Sequence, residues 1–228
     1  QRLLVINDFT ALALALPTLT PDLLRQVGGG QAVAGQAVAL LGPGTGLGVS
    51  GLVYPPGSSH GVPLAGEGGH VTLAAETRLE FDVLERIAQR YGHVSAERAV
   101  SGQGLVDIYH AVRAVAGQGG TEVIQAAQVT ELALVDGDAL AVQALELFCG
   151  FLGNVAGNLV LTLGARGGVY LGGGIVPRLG AWFDGSPFRA RFESKGRFRA
   201  YLASIPCWII DPAVTPALHG AARALDWH

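Results

Sequence analysis

Short apolar runs alternate along this chain with longer stretches in which apolar positions recur at helical spacing. LLVIN, residues Leu3–Asn7, is an apolar, β-rich run and predicts a buried strand. DFTALALALPTL follows as a predicted helix that Pro17 ends. PDLLRQV predicts a short helix with Pro21 in its first turn. VALLG, GTG and LGVSGLVY read as strand, glycine turn and strand. RLEFDVLERIAQRYG predicts a helix with Gly92 as its C-cap. HVSAERAVSGQGLVDIYHAV predicts a helix, a Ser-Gly break and a second helix. The stretch from Val129 to Gly164 holds the longest helical pattern. GGVYLGGGIVPRL reads as strand, glycine turn and helix, PCWIID as a strand, and PALHGAARALDWH as a closing helix.

Strands mixed with helices, and joined by glycine turns at strand ends, predict an α/β architecture that binds ligands at those ends. The glycines cluster at Gly28–Gly30, Gly42–Gly48, Gly66–Gly69 and Gly172–Gly174, where backbone is expected to approach a ligand closely. No fixed-period repeat is visible. Half of the 228 residues are hydrophobic and 14% are charged, enough apolar content for a sizeable core. The formal charge of −3 does not call for a nucleic-acid partner. Cys149 and Cys207 sit in apolar runs and are expected to be buried free thiols, as in a cytoplasmic protein. No apolar run has the length of a membrane span, and no secretory signal opens the chain. QRLLVINDF reads as a strand entered mid-fold and the chain holds no methionine, so a fragment of a longer protein is expected.

Four places carry candidate chemistry. Asn7 and Asp8 directly follow an apolar run; they read either as a helix cap or as a carboxylate base beside an orienting amide. In GEGGH, Glu67 and His70 share a glycine-rich turn and read either as an acceptor and a switchable donor-acceptor for a ligand or as structural residues. Glu97 reads either as a solvated helix residue or as a further acceptor, since a carboxylate takes hydroxyl hydrogens in charge-assisted bonds. GPGTGLG lacks the GK ending of a Walker A loop, but its backbone N–H groups and Thr45 would suit a phosphate; a plain hairpin turn is the alternative. GGGIVPR places Gly172, Gly173 and Gly174 before a helix start, a geometry that suits the adenosine side of a nucleotide; a tight strand-to-helix turn with no ligand is the alternative.

Together these pieces resemble the bacterial glucokinases of the hexokinase and actin-like ATPase superfamily, in their non-zinc group. VINDFTA, GTGLG, GEGGHV, HVSAER, GGVYLGGGIVPR and FRARFESKGRF all occur here in that family's order. The resemblance implies a ribonuclease H-like, actin-like ATPase fold, a mixed sheet with flanking helices. It implies ATP-dependent phosphorylation of D-glucose, with Mg2+ carried by the ATP. Asp8 is similar to the base that accepts the proton of the 6-hydroxyl. Asn7, Asp8, Glu67, His70 and Glu97 match positions that bind glucose. Gly44, Thr45 and Gly46 match the second phosphate turn, and Gly172, Gly173 and Gly174 the adenosine side. A cytoplasmic homodimer is implied, with no nucleic-acid or membrane partner.

The resemblance further implies that residues 1–17, with a strand carrying Asn7 and Asp8, and residues 212–228 belong to a small domain. Residues 18–211 are then the large domain. The family opens with a first phosphate loop of the DxGGT type, which these residues lack, so the chain alone is expected to bind nucleotide poorly and turn over little. Another hexose or an amino sugar as acceptor, and a non-catalytic sugar-binding relative, remain open alternatives. The basic segment with Arg189, Arg191, Lys195, Arg197 and Arg199 could contact an anion; the reading preferred is a basic helix–loop face with Phe188, Phe192 and Phe198 packed inward.

Overall fold

A computed structural model describes residues 4–120, 122–213 and 216–225. Six strands form one sheet: β1 (Leu24–Val27), β2 (Val38–Pro43), β3 (Leu47–Val53), β4 (Val62–Pro63), β5 (Val169–Leu171) and β6 (Cys207–Ile210). Their order is β1-β6-β5-β2-β3-β4. β2, β3 and β4 form an antiparallel meander, β5 and β6 run parallel to β2, and β1 closes the edge antiparallel to β6. The helices are α1 (Asp8–Ala15), α2 (Arg78–Tyr91), α3 (Ala96–Ala99), α4 (Gly102–Val115) and α5 (Ala126–Leu134). They continue with α6 (Ala139–Leu163), α7 (Ile175–Arg178), α8 (Phe188–Glu193), α9 (Arg199–Ala203) and α10 (Pro216–Leu225). This is the mixed sheet with flanking helices expected from the sequence.

Strand side chains alternate between faces. Ala39, Leu41, Val169, Leu171, Cys207 and Ile209 enter a large core built on α4, α6 and α8. Val38, Leu40, Leu52 and Ile210 enter a smaller one under α1 and α10. α6 starts where the Asp138 carboxylate accepts from Ala141 N (2.7 Å) and ends at the left-handed Gly164. It is long and apolar enough to cross a bilayer by length and composition, yet most of that window is buried against its neighbours, as in a core helix. α2 carries a capping box between Thr77 and Glu80 and stops at Gly92, whose φ is 75°.

Three sequence expectations are corrected. Leu4–Asn7 is not a strand: among the described residues no other strand lies alongside it, and an apolar run forms a strand only when a neighbour takes up its N–H and C=O groups. The rest of that expected strand, and the last three residues of the closing helix, lie outside the described residues. PDLLRQV is not one helix. Pro21–Leu23 make a single 3-10 turn, and Leu24–Val27 extend because β6 offers a ladder for all four residues. The basic segment is the expected face only in part: Phe188 and Phe192 are buried and Arg197 and Arg199 are exposed, but three of the cations and Phe198 depart from it. The Arg189, Arg191 and Lys195 side chains fold inward onto carbonyl and carboxylate partners, while Phe198 is 43% exposed.

Candidate functional site

The β2–β3 hairpin is closed by the Pro43–Leu47 pair, leaving Gly44, Thr45 and Gly46 as its turn. Gly44 N donates to Gly46 O (2.8 Å), and Gly102 N at the start of α4 donates to Gly44 O (2.8 Å). Ser101 caps α4 by accepting from Gly104 N at 3.0 Å. The positive end of α4 therefore abuts the turn and favours an anion there. Thr45 is exposed, and the space beside Gly44 is open for 4 Å. On the next parallel strand, Gly172 N donates to Leu41 O (2.7 Å), and Gly173 (φ 77°) packs on the Pro43 carbonyl. Gly174 then faces outward at the start of α7. Both glycine turns thus sit at the C-terminal ends of adjacent parallel strands, where open α/β sheets bind ligands.

Glu97 stands beside the first turn. Its Oε2 accepts from Leu47 N at 2.9 Å, and its Oε1 lies 4.0 Å from His70 Nδ1. Gly46 must be glycine for this, because a Cβ there would overlap the Glu97 carboxylate. His70 ends a 3-10 turn, Gly68–His70, that rests on β3; a Cβ at Gly69 would strike the Leu47 carbonyl. The side chains are accessible, 62% for His70 and 32% for Glu97, so both face solvent beside the turn. Glu67 precedes His70 on the same turn and is exposed. Its carboxylate makes no hydrogen bond or ion pair among the described residues, which leaves both oxygens free.

Asn7 and Asp8 open α1. Asn7 Oδ1 accepts from Phe9 N (2.8 Å) and Thr10 N (3.3 Å), the capping geometry, which leaves the Asn7 amide nitrogen to point elsewhere. Asp8 is exposed and, among the described residues, its carboxylate bonds only to Phe9 N, at 2.9 Å. The adjoining Phe9 ring packs against Gly42 and Gly48, where any side chain would overlap it. The ring seats the helix start on the same hairpin that presents Gly44–Gly46 and holds Glu97. The structure therefore joins Glu97, His70 and the 44–46 turn by direct contact, and ties Asp8 to them through Phe9. Leu47, Phe9 and Ser101 were not singled out from the sequence. Only Ser101 carried a local signal, a serine three residues before Gly104 at a helix start.

A model of the glucokinase family matches residues 1–228. A glucokinase from Aromatoleum aromaticum is 56% identical over 225 residues, 99% of this chain and 67% of that protein. One from Chromobacterium violaceum is 52% identical over 230 residues, all of this chain and 64% of that protein. The crystal structure of a glucokinase from an Antarctic psychrotroph superposes with a TM-score of 0.88 at 36% identity, covering 96% of this chain and 67% of that one. The chain spans about two thirds of the length of these relatives. With the motifs in order, the sheet topology and a family match from end to end, the chain belongs to the glucokinase family.

Proposed function

We propose that this chain is the sugar- and nucleotide-binding part of an ATP-dependent glucokinase, transferring the γ-phosphoryl group to the 6-hydroxyl of D-glucose. The observation that carries this reading is the pairing of Glu97 and His70 directly beside the Gly44–Gly46 turn, with the start of α1 seated on the same hairpin. An acceptor site for hydroxyls and a bare-backbone turn suited to phosphate are thereby neighbours.

Each side chain has a defined remaining capacity. Glu97 commits Oε2 to Leu47 N, so Oε1 is the oxygen left for a sugar hydroxyl. His70 keeps its ring nitrogens for a second hydroxyl, and Glu67 keeps both oxygens. Asn7 caps α1 through Oδ1 and offers Nδ2 to the sugar. Asp8 has a free Oδ2 with which to orient the attacking hydroxyl and accept its proton. The open space at Gly44 and the outward-facing Gly174 fit ATP, whose bound magnesium complex supplies the phosphoryl group. In this reading residues 1–17 and 212–228 move as one unit against residues 18–211 when sugar binds, excluding water from the transfer. The protein acts in the cytoplasm as a homodimer, which light scattering tests. The reading as a whole is tested by a coupled assay of the full-length protein on a hexose panel with several donors. Glucose phosphorylation by ATP supports it, and turnover of no hexose overturns it.

A further inference from the structure

The segment Val71–Thr77 links the Glu67–His70 turn to α2. One side of it is stitched to the approach to α3. Leu73 N donates to Val94 O (3.0 Å), Ala96 N donates to Val71 O (2.8 Å), and Thr72 pairs with Ser95. Thr72 lies two residues from His70 and Ser95 two from Glu97, so this short ladder sets the register in which imidazole and carboxylate meet.

The other side is held by a buried ionic cluster from three distant elements. Arg191 Nη2 reaches Glu80 at 3.0 Å, and Glu80 Oε2 accepts from Glu76 N (2.6 Å) and Thr77 N (3.1 Å). Arg191 Nη1 lies 3.4 Å from the Glu76 carboxylate. Lys195 donates to Asn154 Oδ1 and lies 4.0 Å from Glu76, while Asn154 Nδ2 donates to Ala74 O at 3.4 Å. The side chains of Glu80, Arg191 and Lys195 are only 5, 15 and 11% exposed. α6 makes room for them with Gly153 and Gly157, where a Cβ would strike the Phe188 and Phe192 carbonyls of α8. A cluster of this kind is a weak source of net stability, because desolvation offsets the attraction. It does fix geometry: the segment is gripped at Ala74 O, Glu76 N, Thr77 N and the Glu76 carboxylate. The basic segment, which the catalytic reading leaves unused, is its source.

We propose that Arg191, Lys195, Asn154 and Glu80 are positioning residues for sugar binding: they hold Val71–Thr77 in the register that sets His70 opposite Glu97. The inference rests on the reading of Glu97 and His70 as hexose ligands. It is tested by calorimetry on the full-length protein, titrating D-glucose and, separately, a non-hydrolysable ATP analogue. Lys195→Met and Asn154→Leu are each expected to raise the glucose Kd about 10-fold, the scale of a small misplacement far from the chemistry. Glu76→Gln, at a carboxylate one third exposed, is expected to raise it about 3-fold. Nucleotide affinity stays within about 2-fold throughout, and the Lys195→Met/Asn154→Leu double variant is no worse than the weaker-binding single, since both break one network. Unchanged glucose affinity in folded variants overturns the proposal, as does an equal loss for both ligands, the mark of general loosening. Should Lys195→Met fail to fold, Glu76→Gln decides. Absence of glucose binding by the wild-type protein overturns the sugar-kinase reading itself, and this inference with it.

Discussion

One face of the sheet lies under a deep layer in which α6 is surrounded by α4, α5 and α8; the other is covered, among the described residues, chiefly by α1 and α10. The deep face buries Phe148, Phe151, Phe183, Phe188 and Phe192 completely. The thin face has Leu14, Leu16, Leu40, Leu52 and Ile210 as its largest buried aliphatics, and its two helices lean chiefly on each other. Free energy of local opening follows buried apolar contact. The proposed sugar ligands His70 and Glu97 are mounted on the deep body through Leu47 and the Val71–Thr77 segment. Asp8 is mounted on the thin layer, at the tip of α1. The groups proposed to recognise the sugar thus stand on the part that resists motion, and the proposed base on the part that can move, an arrangement suited to closure after binding.

The sharpest way to break this comparison is at the base. Asp8→Asn is expected to lower kcat by about 10²–10⁴ while the glucose Kd changes little. An equal loss in binding would place Asp8 with the recognition groups instead. Next in size is the seam between the thin-face helices. A Cβ at Gly220 would overlap the Ala11 carbonyl, so Gly220→Val is expected to cost about 3 kcal/mol by forcing α1 and α10 apart. Thermal melts should show that loss, and limited proteolysis should cut near α10 before the deep layer; first cleavage in α6 would refute the contrast.

Glu97→Gln probes the deep side. It removes the charge from the bond to Leu47 N and from the proposed hydroxyl contact. The loss is about 2 kcal/mol, roughly a 30-fold rise in glucose Kd, with kcat at saturating sugar nearly kept. The last test, smallest for each group it reads, probes the deep core by pH. Burial pushes the Cys149 and Cys207 thiols from 9.0 to about 12. Between these values the unfolded chain has lost the thiol protons and the folded one still holds them, so stability falls as pH rises through that window. The slope is about 1.4 kcal/mol per pH unit for each thiol. Urea midpoints at pH 8 and pH 10 measure it, and Cys149→Ala should remove about half of the difference.

Much of the site was legible in the sequence because its determinants are local. The 44–46 turn needs only two strands and its own glycines. The start of α4 needs Ser101, and the ends of α2 and α6 need Gly92 and Gly164. Asn7 was open to the cap reading because Asn before an apolar helical run is a local signal, and it does cap α1; the strand expected before it was not, because that needed a partner from elsewhere.

The sequence by itself determined the helices with strong caps and apolar spacing, the alternating strands, and the residue types available for sugar and phosphate. Tertiary structure alone decided whether Leu4–Asn7 paired, because a strand is defined by a neighbour that its own residues do not specify. It also decided what the glycines are for. Gly42, Gly48, Gly69 and Gly220 admit a ring, a carbonyl or a helix from elsewhere in the chain, where a ligand had been expected at three of them. Most of all it decided the fate of Arg191 and Lys195. A charge is solvated or buried according to what lies opposite, and the partner of Arg191 is 111 residues away in the chain.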